Sequence, residues 1–127
     1  MRKIFLGLIL CCISAEVSAD WTMLQTNDDG NMYIDFDSLK KSGDLITVLS
    51  LNDYYVAQEK QGLSSQWLEL IDCKNKKFKA LAIHYYSENM GKGDVIASTR
   101  FNATEISWSA LVQYSVGELK INIVCSR

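Results

Sequence analysis

The chain has 127 residues, 48% of them hydrophobic and 22% charged, with no proline and a formal net charge of -2. That composition excludes a disordered tail and a basic nucleic-acid binder. The length supports one core and not the two lobes that flank the clefts of larger enzymes.

Residues 1–19 read as a secretory leader: Arg2 and Lys3 precede the apolar run Ile4 to Ile13, and Val17-Ser18-Ala19 supplies small side chains for cleavage after Ala19. A membrane anchor needs about 20 apolar residues, whereas this run breaks at Ser14 and meets Glu16. Cys11 and Cys12 raise lipid attachment as a rival, but Leu10 before Cys11 is not the small residue such processing needs, so a lipid anchor is disfavoured. Losing Arg2, Lys3 and Glu16 takes the charge from -2 to -3. Cys73 and Cys125 are then the remaining cysteines, an even pair in an exported chain, and a disulfide is expected between them. Closing a loop of roughly 53 residues stabilises by about 4 kcal/mol in the chain-entropy model.

In residues 20–127 the pattern predicts strands and turns. Trp21 to Thr26 and Met32 to Phe36 flank a turn at Asn27–Asn31 in which Asp29-Gly30 can supply positive φ. Asp37 to Gly43 reads as a helical turn or loop. Leu45 to Val56 is the longest strand, apolar on both faces and therefore central. Ala57 to Ser65 is polar and reads as a crossing loop. Gln66 to Cys73 and Phe78 to Tyr86 follow, joined by a solvated turn at Lys74–Lys77. A glycine-bearing turn at Ser87–Gly93 leads into Asp94 to Arg100. Short connections make an antiparallel meander the expected order.

The C-terminal segment is ambiguous. Leu119, Ile121, Ile123 and Cys125 alternate as in a strand, yet Ser115-Val116-Gly117-Glu118 has the form of a capping box, with Val116, Leu119 and Ile123 on one helical stripe.

From Trp21 to Cys125 the chain resembles the surface-adhesin protein E family of Gram-negative bacteria. The resemblance rests on Trp21, Met32-Tyr33-Ile34-Asp35, the strand from Leu45 to Tyr55, Ser64-Ser65, Asp72-Cys73, Met90-Gly91-Lys92-Gly93, Trp108, and Ser115-Val116-Gly117-Glu118 followed by Cys125. It implies an α+β fold: one antiparallel sheet of about six strands, with a C-terminal helix from Val116 to about Cys125 packed on one face and disulfide-tied to it. If Cys73 faces that helix, alternation puts Trp67, Glu69 and Ile71 there too, and Glu69 suits that place only if its end of the strand lies beyond the helix. Leu68 and Leu70 then point to the second face, beside Leu81, Ile83 or Tyr85. A helix of ten residues spans about 15 Å, so the second face needs a partner, a second copy, or a loop such as Ala57–Ser65 above it.

Chemistry is sparse. His84 is the only histidine and sits inside a strand. Pairing the cysteines removes any zinc spacing, Asp28–Asn31 lacks the alternating ligands of a calcium loop, and Met90–Gly93 lacks the helix that a phosphate cradle requires. Asn102-Ala103-Thr104 fits a glycosylation sequon, which matters only in a eukaryotic secretory pathway. No enzyme, metal or cofactor is indicated. Lys74, Lys76, Lys77 and Lys79 form either a solvated edge or a docking patch, to which Lys120 and Arg127 add only if the fold brings them there. The resemblance implies dimers and binding of host matrix or serum proteins such as vitronectin, laminin and plasminogen. The alternative is a periplasmic accessory or inhibitor protein working through protein contacts. Both are exported, to the periplasm or the cell surface.

Overall fold

A computed structural model describes residues 20–102, 104, 107–110 and 115–127. The expected leader with Cys11 and Cys12, and Ala103 of the sequon, lie outside these residues. Strands β1 (Trp21–Thr26), β2 (Gly30–Ser42), β3 (Leu45–Gln58), β4 (Gly62–Asp72), β5 (Lys77–Tyr86) and β6 (Val95–Arg100) form the expected antiparallel meander, in that spatial order. A two-residue strand, β7 (Ser109–Ala110), pairs with Lys77 and Phe78 of β5, on the edge that β6 occupies further along at Ala82 to Tyr86. Helix α1 (Val116–Cys125) completes the chain.

Strands β2, β3 and β4 are longer than the sequence pattern predicts, at the expense of two expected loops. The segment Asp37–Ser42 is not a helical turn: β2 continues through it, with an irregularity between Asp35 and Lys40. The Ser38 hydroxyl donates to the Asp35 carbonyl at 2.6 Å and accepts from the Leu49 amide at 2.8 Å, so a side chain stands in for the interrupted ladder. The expected crossing loop at Ala57–Ser65 is also absent. β3 runs to Gln58 and β4 starts at Gly62, and the tight connection between them places Lys60 at φ 62°. Ser64 and Ser65 are fully buried despite their polarity because their hydroxyls are bonded, Ser64 to the Glu88 carbonyl at 2.6 Å and Ser65 to the Trp67 indole N–H at 2.9 Å.

Directly paired residues share a face of the sheet. Ile46 pairs with Ile71 and Ile71 with Phe78; Val48 pairs with Glu69. This face, with Ile34, receives Ile121 and Val124 of the helix, both essentially without solvent contact. Burying each of these two side chains contributes about 1.5–3 kcal/mol. The helix begins as its capping sequence requires, with the Ser115 hydroxyl accepting from the Glu118 amide at 3.2 Å and an acidic residue in the first turn. It ends at the expected disulfide, Cys73–Cys125, with Cα atoms 5.7 Å apart.

Glu69 does not lie beyond the helix. It is buried beneath it, and Lys120 Nζ donates to both carboxylate oxygens at 2.6 and 2.8 Å while the Ser50 hydroxyl donates at 3.3 Å. An irregularity at Leu68/Glu69 pairs Leu68 with Ala82 and Leu70 with Lys79 on the second face, while Ile83 opposes Trp67 on the helix face. The expected neighbours Ile83 and Tyr85 therefore lie on the other side from Leu68 and Leu70.

Candidate docking surfaces

The connection between β5 and β6 covers part of the second face, in place of the expected Ala57–Ser65 loop. Asp53 accepts from the Met90 amide at 2.8 Å and from Asn89 Nδ2 at 3.0 Å, and Ser64 Oγ accepts from the Gly91 amide at 2.9 Å. Gly91 then rests beside the fully buried Leu51, close enough that a Cβ there would meet Leu51 Cδ1 at 3.7 Å. The Met90–Gly93 motif is thus a clamp on the sheet surface, and Met90 sits at φ 60° to make the turn.

The lysines singled out from sequence divide into two kinds. Lys74 and Lys76 are exposed on the β4–β5 turn, whereas Lys77 is half-buried and Lys79 is only 7% exposed. The ammonium groups of Lys77 and Lys79 lie over the Trp108 ring, 4.9 and 4.3 Å from its centroid. Asp72 fixes the turn: one carboxylate oxygen accepts from the Asn75 amide at 3.0 Å and the other from Asn75 Nδ2 at 2.8 Å. The Asn75 side-chain bond, followed by its backbone bond, holds the Asp72 carboxyl below the usual carboxylate range. Lys120 is committed to Glu69, and the Arg127 guanidinium stacks on Phe36 at 4.1 Å while its carbonyl accepts from Lys41. His84 shares a hydrogen bond with Ser98 at 2.7 Å.

What the linear sequence hides is a separation of charge between the two ends of the sheet. Ser42, Leu45, Asp72 and Lys77 pair in one line across β2 to β5. Around that line gather Lys40, Lys41, Lys74, Lys76 and Arg127, all exposed, with Asp44 and Asp72 as the nearby carboxylates. The opposite end follows the line Asn31, Asp53, Ser64, Tyr86, Val95. It carries Asp28, Asp29, Asp53, Glu59, Glu88 and Asp94 against Lys60 and Lys92. The same end holds the exposed apolar side chains Tyr55, Val56, Val95 and Ile96. Only glycine fits at Gly62, where φ is +66° and a Cβ would meet the Tyr86 carbonyl oxygen at 2.1 Å and Ile96 Cδ1 at 2.6 Å.

A cleft of about 220 Å³ at this acidic end is lined by Asn27, Asp29, Asn31, Asn52, Asp53 and Tyr54. Two of its side chains are engaged within the fold: Asn27 Oδ1 accepts from the amides of Asp29 and Gly30 at 2.9 and 3.0 Å, and Asn31 Oδ1 accepts from the hydroxyls of Thr26 and Tyr55 at 2.8 and 3.2 Å. Among the described residues no cluster of three or more His, Cys, Asp or Glu side chains could hold a metal ion, and no helix is long and apolar enough to cross a membrane.

A search of curated protein sequences finds no match. Among solved structures, crystal form II of Haemophilus influenzae protein E is similar at a TM-score of 0.61 and 16% identity, covering 87% of this chain and 91% of that one. A second structure of Haemophilus influenzae protein E gives a TM-score of 0.58 at 16% identity, covering 82% and 83% of the two chains. Protein E from non-typeable Haemophilus influenzae gives 0.56 at 16% identity, covering 82% and 75%. At this identity the likeness establishes the fold. The family model of Surface-adhesin protein E matches residues 21–126, and the chain belongs to that family of adhesin-like surface proteins.

Proposed function

We propose that the chain, once its leader is removed, is a non-catalytic adhesin-like module that docks host extracellular-matrix or serum proteins of the vitronectin, laminin and plasminogen class. The observation that carries this reading is the match to an adhesin family across residues 21–126. The β4–β5 turn offers an attachment point suited to it. Lys74 and Lys76 project from a short turn held on one side by the Cys73–Cys125 bond and braced by the Asp72–Asn75 hydrogen bonds. A turn ordered in advance loses little freedom on binding, and exposed ammonium groups steer acidic partners toward it. Lys77 and Lys79 support the turn through Trp108.

The test is capture of immobilised plasminogen and vitronectin by the wild-type chain and by the variant K74A/K76A/K77A. Binding weakened at least fivefold supports the patch, and unchanged binding rejects it. Antibody labelling of intact cells addresses placement: signal on whole cells fits surface exposure, whereas a pool released only by osmotic shock fits the periplasm and removes the adhesin reading.

A further inference from the structure

We infer that the basic end of the sheet binds a linear sulfated polysaccharide. The end is assembled from three separate stretches of chain: Lys40 and Lys41 close β2, Lys74 and Lys76 project from the β4–β5 turn, and Arg127 follows the helix. The disulfide joins the last two stretches, and the Lys41 bond to the Arg127 carbonyl joins the first and last. From β2 to β5 is three strand spacings, about 14 Å, so the three stretches form a row across the sheet end, with Lys40 and Lys41 on opposite faces of it.

The chemistry of the row selects the partner. Protein interfaces are anchored by aromatic and large apolar side chains in their centres, and Leu45 is the one large exposed apolar side chain described at this end. The cluster of Tyr55, Val56, Val95 and Ile96 is at the other end, among carboxylates. A surface that offers ammonium and guanidinium groups with little apolar area gains by counter-ion release and Coulomb attraction, which a regularly charged polyanion supplies at every residue. Cations that face both sides of a narrow sheet end match an extended chain better than a flat anionic membrane, which would engage cations spread over one face. The inference shares Lys74 and Lys76 with the host-protein patch but not its ligand, so the two readings fail separately.

The experiment is isothermal titration of the purified chain with a heparin fragment over a range of salt concentrations. The variants K40S/K41S, K74S/K76S and their combination are compared with K60S/K92S at the acidic end. Each basic-end pair weakens binding at least threefold and their combination at least tenfold, with a shallower dependence on salt, while K60S/K92S binds like wild type. Thermal melting checks that each variant is folded, and K40S alone provides a variant whose substitution touches neither the disulfide nor the Arg127 contact. The inference is overturned if the wild-type chain ignores heparin at about 0.1 M salt. It is equally overturned if desulfated heparin binds as well, if the combined variant binds unchanged, or if phosphatidylglycerol vesicles are preferred to heparin. Plasminogen capture that survives a failed heparin titration leaves the host-protein reading standing alone.

Discussion

Replacing Lys120 by alanine should destabilise the fold far more than the usual loss of a surface lysine. Glu69 is 4% exposed, and its carboxylate accepts from Lys120 Nζ at 2.6 and 2.8 Å, with only the Ser50 hydroxyl at 3.3 Å besides. Without the ammonium a charge remains under the helix with one weak donor, and stranding one member of a buried pair costs about 3–5 kcal/mol. A domain of this size loses roughly 0.2 kcal/mol of stability per degree near its melting point, so the melting temperature falls by about 15–25 °C. Glu69→Leu with Lys120→Met removes both charges while keeping similar volumes, and should come within about 1 kcal/mol of wild type or exceed it. The assay is urea and thermal unfolding followed by circular dichroism at neutral pH, with the disulfide intact, for Lys120→Ala, Glu69→Ala, the double alanine variant and the apolar pair. Additive losses from the two alanine substitutions, with a coupling below about 0.5 kcal/mol, would refute the reasoning. They would mean that the helix does not seat Lys120 on Glu69.

Other consequences follow from the same packing. Cys73→Ser with Cys125→Ser opens a loop with a sequence separation of 52 and should cost about 4 kcal/mol in chain entropy. Urea unfolding of that variant checks this, and a loss under about 1 kcal/mol would contradict it. Ser38→Ala removes the hydroxyl that receives the Leu49 amide at 2.8 Å and should cost about 1–3 kcal/mol, with the Leu49 amide exchanging faster with solvent. Asn75→Ala removes the main cause of the lowered Asp72 pKa. A carboxylate whose folded pKa is depressed adds stability that is fully present above its unfolded pKa of about 3.9 and is lost as the pH falls through the folded value. The stability difference between wild type and Asn75→Ala should therefore be constant above about pH 5 and shrink as the pH drops below about 4. A difference independent of pH would detach the effect from Asp72.

The meander and the disulfide were legible in the sequence because each has a local or countable signal: alternation, and an even number of cysteines after the leader. The C-terminal helix was not, since Leu119 to Cys125 alternate as a strand does beside the capping box at Ser115–Glu118, and only the family resemblance favoured the helix. Nor was the course of β2. Asp37-Ser38 followed by Gly43 has the composition of a turn, and only the partner amide of Leu49 on β3 shows that Ser38 is continuing a strand by other means. The start of β4 was hidden likewise, since Ser64 and Ser65 count as polar until their hydroxyl partners on Glu88 and Trp67 are known. Glu69 was recognised as misplaced on an apolar face, yet its cation is 51 residues away, and no pattern of spacing within β4 could name it. For the docking patch, the run at Lys74–Lys79 was visible, but strand alternation alone does not show that Lys79 is covered. That depends on Trp108, which β7 brings alongside β5.

The same geometry explains why the separated charge lies at the ends of this sheet and not on its faces. The helix closes one face with Ile121 and Val124, and the clamp at Asn89–Gly91 closes part of the other over Leu51. Leu49, Leu68 and Leu70 in the middle of that second face are no more than partly exposed, while Met23 on the edge strand and Leu45 at the sheet end are exposed. The covered parts of the two faces cannot change their chemistry without disturbing the core. Turn residues are under no such constraint. Lys74 and Lys76 at one end, and Asp28, Glu59 and Lys92 at the other, hang from connections whose backbone is fixed by the strands on either side. Their charges can be exchanged without loss of a ladder hydrogen bond. A meander of this kind places every second connection at the same end, so residues far apart in sequence converge there. The charge at each end is thus set by side chains from several strands and connections at once, Lys40, Lys41, Lys74, Lys76 and Arg127 at one and Asp28, Asp29, Asp53, Glu59, Glu88 and Asp94 at the other, on one scaffold.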